Sequence, residues 1–202
     1  MKKSNVLVYG IGIKGMEYHT TYLYKRVKEY DCWIKMLCRC TEKLWEKYPT
    51  YKGVTCSENF KSYSYFYEWC QTQVGFGNVS SNGRYWQLDK DLLVRGNKVY
   101  SEDTCVFIPP RINSLLIKSD SARGEYPIGV SWHKHTGKFA SRCSIGCKTS
   151  QYLGIHDTAQ EAFLAYKTFK EALIKEVANE YKEMLDSRVY EALMNYEVNE
   201  ND

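Results

Sequence analysis

Between Ile128 and Val177 the periodicity of the chain changes from that of strands to that of a helix, and this change constrains the fold more than any other stretch. Three short runs, Ile128 to His133, Lys138 to Ser144 and Gln151 to Ile155, read as strands, with His135-Thr136-Gly137 and Gly146 to Ser150 as their turns. Thr158, with Glu161 three residues later, makes a capping box and so starts a helix. Ala162, Phe163, Tyr166, Phe169, Leu173 and Val177 then form one apolar stripe along it. A helix with one such stripe covers one face of a three-stranded antiparallel sheet and leaves the other free. Strand alternation sends Val130, Phe139, Cys143 and Leu153 toward the helix. It leaves Ser131, His133, Arg142, Ser144, Ser150 and Tyr152 on the free face, with Lys134, Lys138 and Lys148 at strand ends or in turns. His133, His135, Cys143 and Cys147 invite a zinc reading, but alternation turns Cys143 and His133 to opposite faces, so no zinc is expected there.

A second organised stretch runs from Trp86 to Leu116. It reads as a strand (Tyr85 to Leu92), a polar loop through Arg95, Gly96, Asn97 and Lys98, a strand (Thr104 to Ile108), and a helix. Pro109 or Pro110 suits the first helical turn, where a missing N–H costs nothing, and Ile112, Leu115 and Leu116 would point inward. This ββ-then-α order resembles the HNH (ββα-metal) family of phage and homing endonucleases. Asp89 falls on that family's metal-binding Asp and Asn113 on its helical Asn, and Gly96-Asn97-Lys98 resembles its Asn-rich loop. Trp33, Met36, Arg39 and Cys40, then Tyr51 to Thr55, then Phe66 and Trp69 extend the resemblance toward the N-terminus. The resemblance implies a metal-dependent endonuclease that nicks DNA. Asp89 and Asn113 would hold Mg²⁺ or Mn²⁺, and Asp91 would assist beside the scissile phosphate.

The chain departs from the family at the general base, where Lys90 stands in place of His. An ammonium cannot take a proton from water unless it is strongly desolvated. Two readings follow. Either Asp89, Lys90, Asp91 and Asn113 form a site whose base comes from elsewhere or from metal-bound water, or the hairpin is a structural module of a non-catalytic DNA-binding protein. The latter would be a regulator, or a phage factor interfering with a host nucleic-acid-directed defence.

The C-terminal module resembles the APETALA/ethylene-response-factor DNA-binding domain, which also occurs fused to HNH nucleases in phages. The resemblance is carried by Gly129-Val130, Gly137-Lys138-Phe139-Ala140, Tyr152-Leu153-Gly154 and Thr158 through Ala162 to Tyr166. It implies that the free sheet face enters the major groove of double-stranded DNA, with the three lysines on phosphates. Several of that family's base-reading Arg positions are Ser131, His133 and Ser144 here, leaving Arg142 as the main guanidinium on the face.

Charge supports a phosphate partner through its distribution rather than its net value of +4. From Glu171 to Asp202 acids outnumber bases, so the preceding segment is the more basic one. No apolar run approaches the roughly 20 residues of a membrane span. The eight cysteines include no Cys-x-x-Cys pair and no secretory signal precedes them, so free thiols in a cytoplasm are expected, the bacterial host's if the chain is phage-encoded. Cys38-x-Cys40 would point to different sides of a helix and reads as core packing. Gly10-x-Gly12-x-x-Gly15 matches a dinucleotide fingerprint, but no βαβ unit follows it, so a glycine-rich entry loop is expected. The eighteen Tyr, seven Phe and five Trp are core material first. Many fall in the N-terminal lobe, which could present a surface to a protein partner.

The expected architecture is α+β. An HNH-like lobe runs over 1–118, an ethylene-response-factor-like domain over 125–183, and a helical acidic tail, disordered from Glu197, over 184–202.

Overall fold

The computed structural model describes residues 7–118, 124–146, 149–200 and 202 of an α+β chain, which divides into two units after Ile108. In the first unit a small hairpin, β1 (Thr21–Tyr22) and β2 (Lys25–Arg26), leads into helix α1 (Lys28–Arg39) and helix α2 (Glu42–Lys47). Strand β3 (Thr55–Cys56) and helix α3 (Tyr63–Thr72) follow, then β4 (Gln87–Asp89), β5 (Val99–Tyr100) and β6 (Val106–Ile108). Strands β4 and β6 pair antiparallel, Leu88 opposite Phe107, whereas β3 and β5 pair parallel, Thr55 opposite Val99.

The periodicity of Tyr30 to Trp45 predicts one helix, and the chain instead bends between α1 and α2. The Thr41 hydroxyl donates to the Cys38 carbonyl at 2.7 Å and the Trp45 indole donates to the Arg39 carbonyl at 2.9 Å, so the orphan carbonyls of α1 are satisfied at the bend. The core of this unit is aromatic. Trp33, Phe60, Tyr63 and Phe66 are fully buried, and the Trp33 indole donates to the Phe60 carbonyl at 2.8 Å. Edge and tilted ring contacts, Phe60 to Phe66 at 5.1 Å and Phe60 to Trp69 at 4.8 Å, contribute on the order of 1 kcal/mol each beyond their burial. Of the fingerprint glycines, Gly12 belongs to this packing. A Cβ on Gly12 would stand 2.2 Å from Leu37 Cδ1, and no helix opens at Gly15, since the next one starts at Lys28.

The second unit begins with helix α4 (Pro110–Leu115), with Pro110 in its first turn and Ile112 and Leu115 buried. The three-stranded antiparallel sheet β7 (Val130–His133), β8 (Lys138–Gly146) and β9 (Thr149–His156) follows in that order. Helix α5 (Ala159–Glu180) starts with the expected capping box and lies on one face of the sheet. Helix α4 packs beside β8 and α5. Helix α6 (Ser187–Met194) follows and packs against α5.

The expectation of disorder from Glu197 is corrected. Val198 is 3% exposed and joins Cys143, Phe163 and Tyr166 in the core of the second unit. Its N–H donates to Glu171 Oε1 at 2.9 Å and its carbonyl accepts from Lys167 Nζ at 2.8 Å. One apolar residue among acids leaves no periodic signal, yet it satisfies its backbone on α5 and packs into the core of this unit. No helix among the described residues is long and apolar enough to cross a membrane.

Candidate functional sites

The hairpin residues are built into the scaffold. Asp89 ends β4, and its Oδ1 accepts from the backbone N–H groups of Asp91 at 3.0 Å and Leu92 at 2.8 Å, so the carboxylate closes the turn that follows. Burial pushes its carboxyl above the usual aspartate range and the Asp91 charge adds to this, while the two N–H bonds and Lys90 oppose it. Lys90 is 7% exposed. Its Nζ donates to the Asn97 carbonyl at 2.9 Å, lies 3.3 Å from Asp91 Oδ2, and sits 5.9 Å from the centroid of the Tyr100 ring. Asn97 Nδ2 donates to the Lys90 carbonyl and the Val99 carbonyl, both at 2.7 Å, and Asn97 Oδ1 accepts from the Val99 N–H at 3.1 Å. The loop from 90 to 99 is thus sewn shut by the two residues that the family resemblance assigned to catalysis and to an Asn-rich loop.

Asn113 lies on α4, in the second unit, whereas Asp89, Lys90 and Asp91 lie in the first. Asp89 Oδ1 is committed to two N–H groups and Asp91 Oδ2 faces an ammonium. A divalent ion seated on this pair would stand close to the Lys90 charge and in competition with it. As arranged, these residues do not fit a divalent-metal seat. Among the described residues no three His, Cys, Asp or Glu side chains are grouped so as to hold a metal ion.

In the sheet of the second unit, three of the four side chains that alternation sends to the helix pack there, and the fourth, Phe139, meets Tyr126 and Trp132 instead. Val130, Cys143 and Leu153 pack with Phe163 and Tyr166 of α5, and Phe139 is half-buried. On the opposite face Ser131, Arg142, Ser144, Ser150 and Tyr152 are exposed and His133 is partly so.

One detail of the register was not legible in the sequence. Ser141 pairs with Gly154 but Arg142 pairs with Tyr152, so β9 carries one extra residue, Leu153, at a bulge next to Gly154, whose φ is +118°. The bulge puts Arg142 and Tyr152 directly opposite each other, with the guanidinium 5.4 Å from the centroid of the ring. It leaves Leu153 on the helix side.

His133 Nδ1 is 2.9 Å from the Thr136 hydroxyl, and its ring is 5.8 Å from that of His135. Lys138 Nζ is 2.7 Å from Asp157 Oδ1, an exposed pair that holds the Asp157 carboxyl below its usual range. Lys134 is exposed in the turn. Lys148, like Cys147, lies outside the described residues.

No family model, curated protein or solved structure matches this chain. Its geometry therefore carries the functional reading.

Sequence reasoning gave no role to Trp132, which is 44% exposed and packs edge-on against Phe139 at 5.0 Å. With Tyr126, Ile128, Ser131 and Arg142 it lines a shallow cavity of about 420 Å³ at the β7 edge. A lone tryptophan in a four-residue strand was the available signal.

Proposed function

We propose that this chain binds double-stranded DNA through the free face of β7–β9, and that the 87–108 hairpin is structural rather than catalytic. The observation that carries the first part is the Arg142–Tyr152 pair. A guanidinium held over an aromatic ring, flanked by the hydroxyls of Ser131, Ser144 and Ser150, is an array of donors on a surface that α5 leaves uncovered. Exposed Lys134 supplies a phosphate contact at one end. The second part is supported by Lys90, whose ammonium is spent on the Asn97 carbonyl.

The test is fluorescence anisotropy with duplex DNA at fixed salt, run beside a nicking assay on supercoiled plasmid with Mg²⁺ or Mn²⁺. Binding that weakens tenfold or more in Arg142→Ala, with no nicking by the native protein, is the expected result. Nicking that disappears in Asp89→Ala would restore the endonuclease reading.

A protein partner for the N-terminal unit is a second reading with its own observation. The β1–β2 turn places Leu23 (φ 44°) and Tyr24 (φ 63°) in the left-handed region, at 73% and 103% exposure. Two apolar residues held there at a steric cost, without burial in return, suit a surface that is covered in a complex.

A further inference from the structure

Strand β7 is an edge of the three-stranded sheet, and the cavity of about 420 Å³ beside it passes around that edge. Ser131 and Trp132 are consecutive and extend to opposite sides of the strand, yet both line the cavity. Ser131 lies on the exposed face that carries Arg142, and Arg142 lines the cavity too. On the other side Trp132 stands edge-on to the Phe139 ring, with centroids 5.0 Å apart, and Tyr126 meets the same ring at 5.3 Å. Two aromatic side chains, Trp132 and Tyr126, therefore wall the far side, and a guanidinium and a hydroxyl mark the entrance from the sheet face.

These groups have bonding capacity left over. Among the described residues the Arg142 guanidinium has the Tyr152 ring as its partner and makes no hydrogen bond, and the Ser131 hydroxyl and the Trp132 indole N–H make none either. Lys118 also lines the cavity, but its ammonium is held by Asp202 Oδ1 at 2.8 Å. Arg142 rather than Lys118 is thus the cation that an anion would meet. Flat aromatic walls, unmet donors and a cation at the entrance suit a ligand that is flat, carries oxygen acceptors and is negatively charged. A nucleotide has all three properties, and the cavity falls within the roughly 300–1,000 Å³ of small-molecule sites.

We propose that this cavity holds one unpaired nucleotide of the DNA bound on the sheet face, its base against Trp132 and its oxygen acceptors toward Arg142 and Ser131. The proposal rests on the DNA-binding reading above and adds the form of DNA that is preferred. A base kept in the duplex stack stays on the face and cannot round the β7 edge. A nucleotide freed from pairing, at a bulge, a gap or a strand end, can do so, and with no complementary base to leave it enters without the cost of unpairing. Stacking on an aromatic side chain accepts any base, because every base has a π-face. At this position the chain therefore distinguishes unpaired from paired strand and not one sequence from another.

The full chain is tested against one duplex in two forms, with 5-iodouracil either unpaired at a single-nucleotide bulge or paired with adenine, by anisotropy at fixed salt and by photo-cross-linking. Trypsin cuts after Arg123 and Lys134, so Tyr126 and Trp132 share peptide 124–134. The bulged form should bind roughly fivefold or more tighter than the paired form, and it alone should cross-link to peptide 124–134. Trp132→Ala should remove the preference and the cross-link while leaving affinity for the paired form unchanged, and Trp132→Phe, which keeps a ring, should retain most of both. Equal binding of the two forms, or a cross-link outside this peptide, would overturn the inference and leave duplex binding standing. Binding of the bulged form alone would support the cavity and remove the paired duplex as the ligand of the face, and binding of neither form would overturn both readings. If the free deoxynucleotide of 5-iodouracil labelled the peptide as efficiently as the bulged duplex, the ligand would be a free nucleotide and the assignment to a DNA strand would fall.

Discussion

Lys90 and Asn97 hold each other across the hairpin loop. The lysine ammonium donates to the asparagine carbonyl at 2.9 Å, and the asparagine amide donates back to the lysine carbonyl at 2.7 Å. This reciprocity fixes a loop whose polar composition alone would leave it mobile. Replacing Lys90 by Met keeps the buried stem but strands the carbonyl, and Asn97→Ala removes three hydrogen bonds at once. Each should cost about 2 kcal/mol in urea unfolding, with Asn97→Ala the larger. A neutral result for both would show that the loop does not depend on this pair.

Asp89 should make stability fall as pH rises through its own titration. Its folded carboxyl titrates above the unfolded one, chiefly through burial and then through the Asp91 charge. Between those two values the native state therefore holds the extra proton, and deprotonation favours unfolding. Asp89→Asn retains an Oδ1 acceptor for both N–H groups and removes the charge. It should be more stable than the native chain at neutral pH and equal to it once the pH falls below the ordinary aspartate range. Unfolding curves across pH 3 to about 8 check this.

Lys170 on α5 gives a base with the opposite sense. It is 7% exposed and faces the Cys143 thiol, and burial holds its ammonium below the usual lysine range. The native state sheds this proton before the unfolded chain does, so stability rises with pH through that window. Lys170→Met should stabilise the second unit by on the order of 1 kcal/mol at neutral pH, with the gain fading at alkaline pH. Calorimetry at pH 7 and at higher pH separates this from a packing effect, which would not fade.

Gly129 has φ +80°, and a Cβ there would lie 2.1 Å from the Tyr166 ring. Gly129→Ala combines a left-handed backbone with a ring clash in the core and should cost about 3 kcal/mol or more. A hydrogen-exchange comparison should show loss of protection over the sheet and α5, with the first unit unchanged.

If the sheet face binds duplex DNA, Lys134 and Arg142 should separate in a salt titration. Removing one phosphate contact by Lys134→Ala should lower the slope of log K against log salt by about 0.9 and weaken all sequences alike. Arg142→Ala should cost roughly 1–3 kcal/mol and reduce discrimination between sequences. Equal behaviour of the two variants would place Arg142 on the backbone instead.

The second unit was largely legible because its signals are local. Thr158 and Glu161 lie one helical turn apart, and alternation sorted Cys143 from Arg142 without knowledge of the fold. The bulge at Leu153 was not legible, because a register shift is decided by which pairing buries more on both faces at once. In the first unit, spacing along the chain offers Asp89 and Lys90 as site residues. Asp89 and Lys90 instead take their partners from a turn and from Asn97, seven residues beyond Lys90, a closure that sequence spacing does not reveal. The parallel pairing of Thr55 with Val99 spans forty-four positions and was invisible for the same reason.

The place of Val198 in the second core has a consequence for synthesis. The first unit ends at Ile108, so everything it contains can fold while the rest of the chain is still being made. The sheet and the start of α5 exist by Tyr166, but Val198 arrives thirty-two residues later. At roughly 5–20 residues per second, Cys143 and Phe163 wait a few seconds for that cover on a ribosome-bound chain. A nascent chain of this protein is therefore most exposed to chaperones, and to aggregation, in that interval.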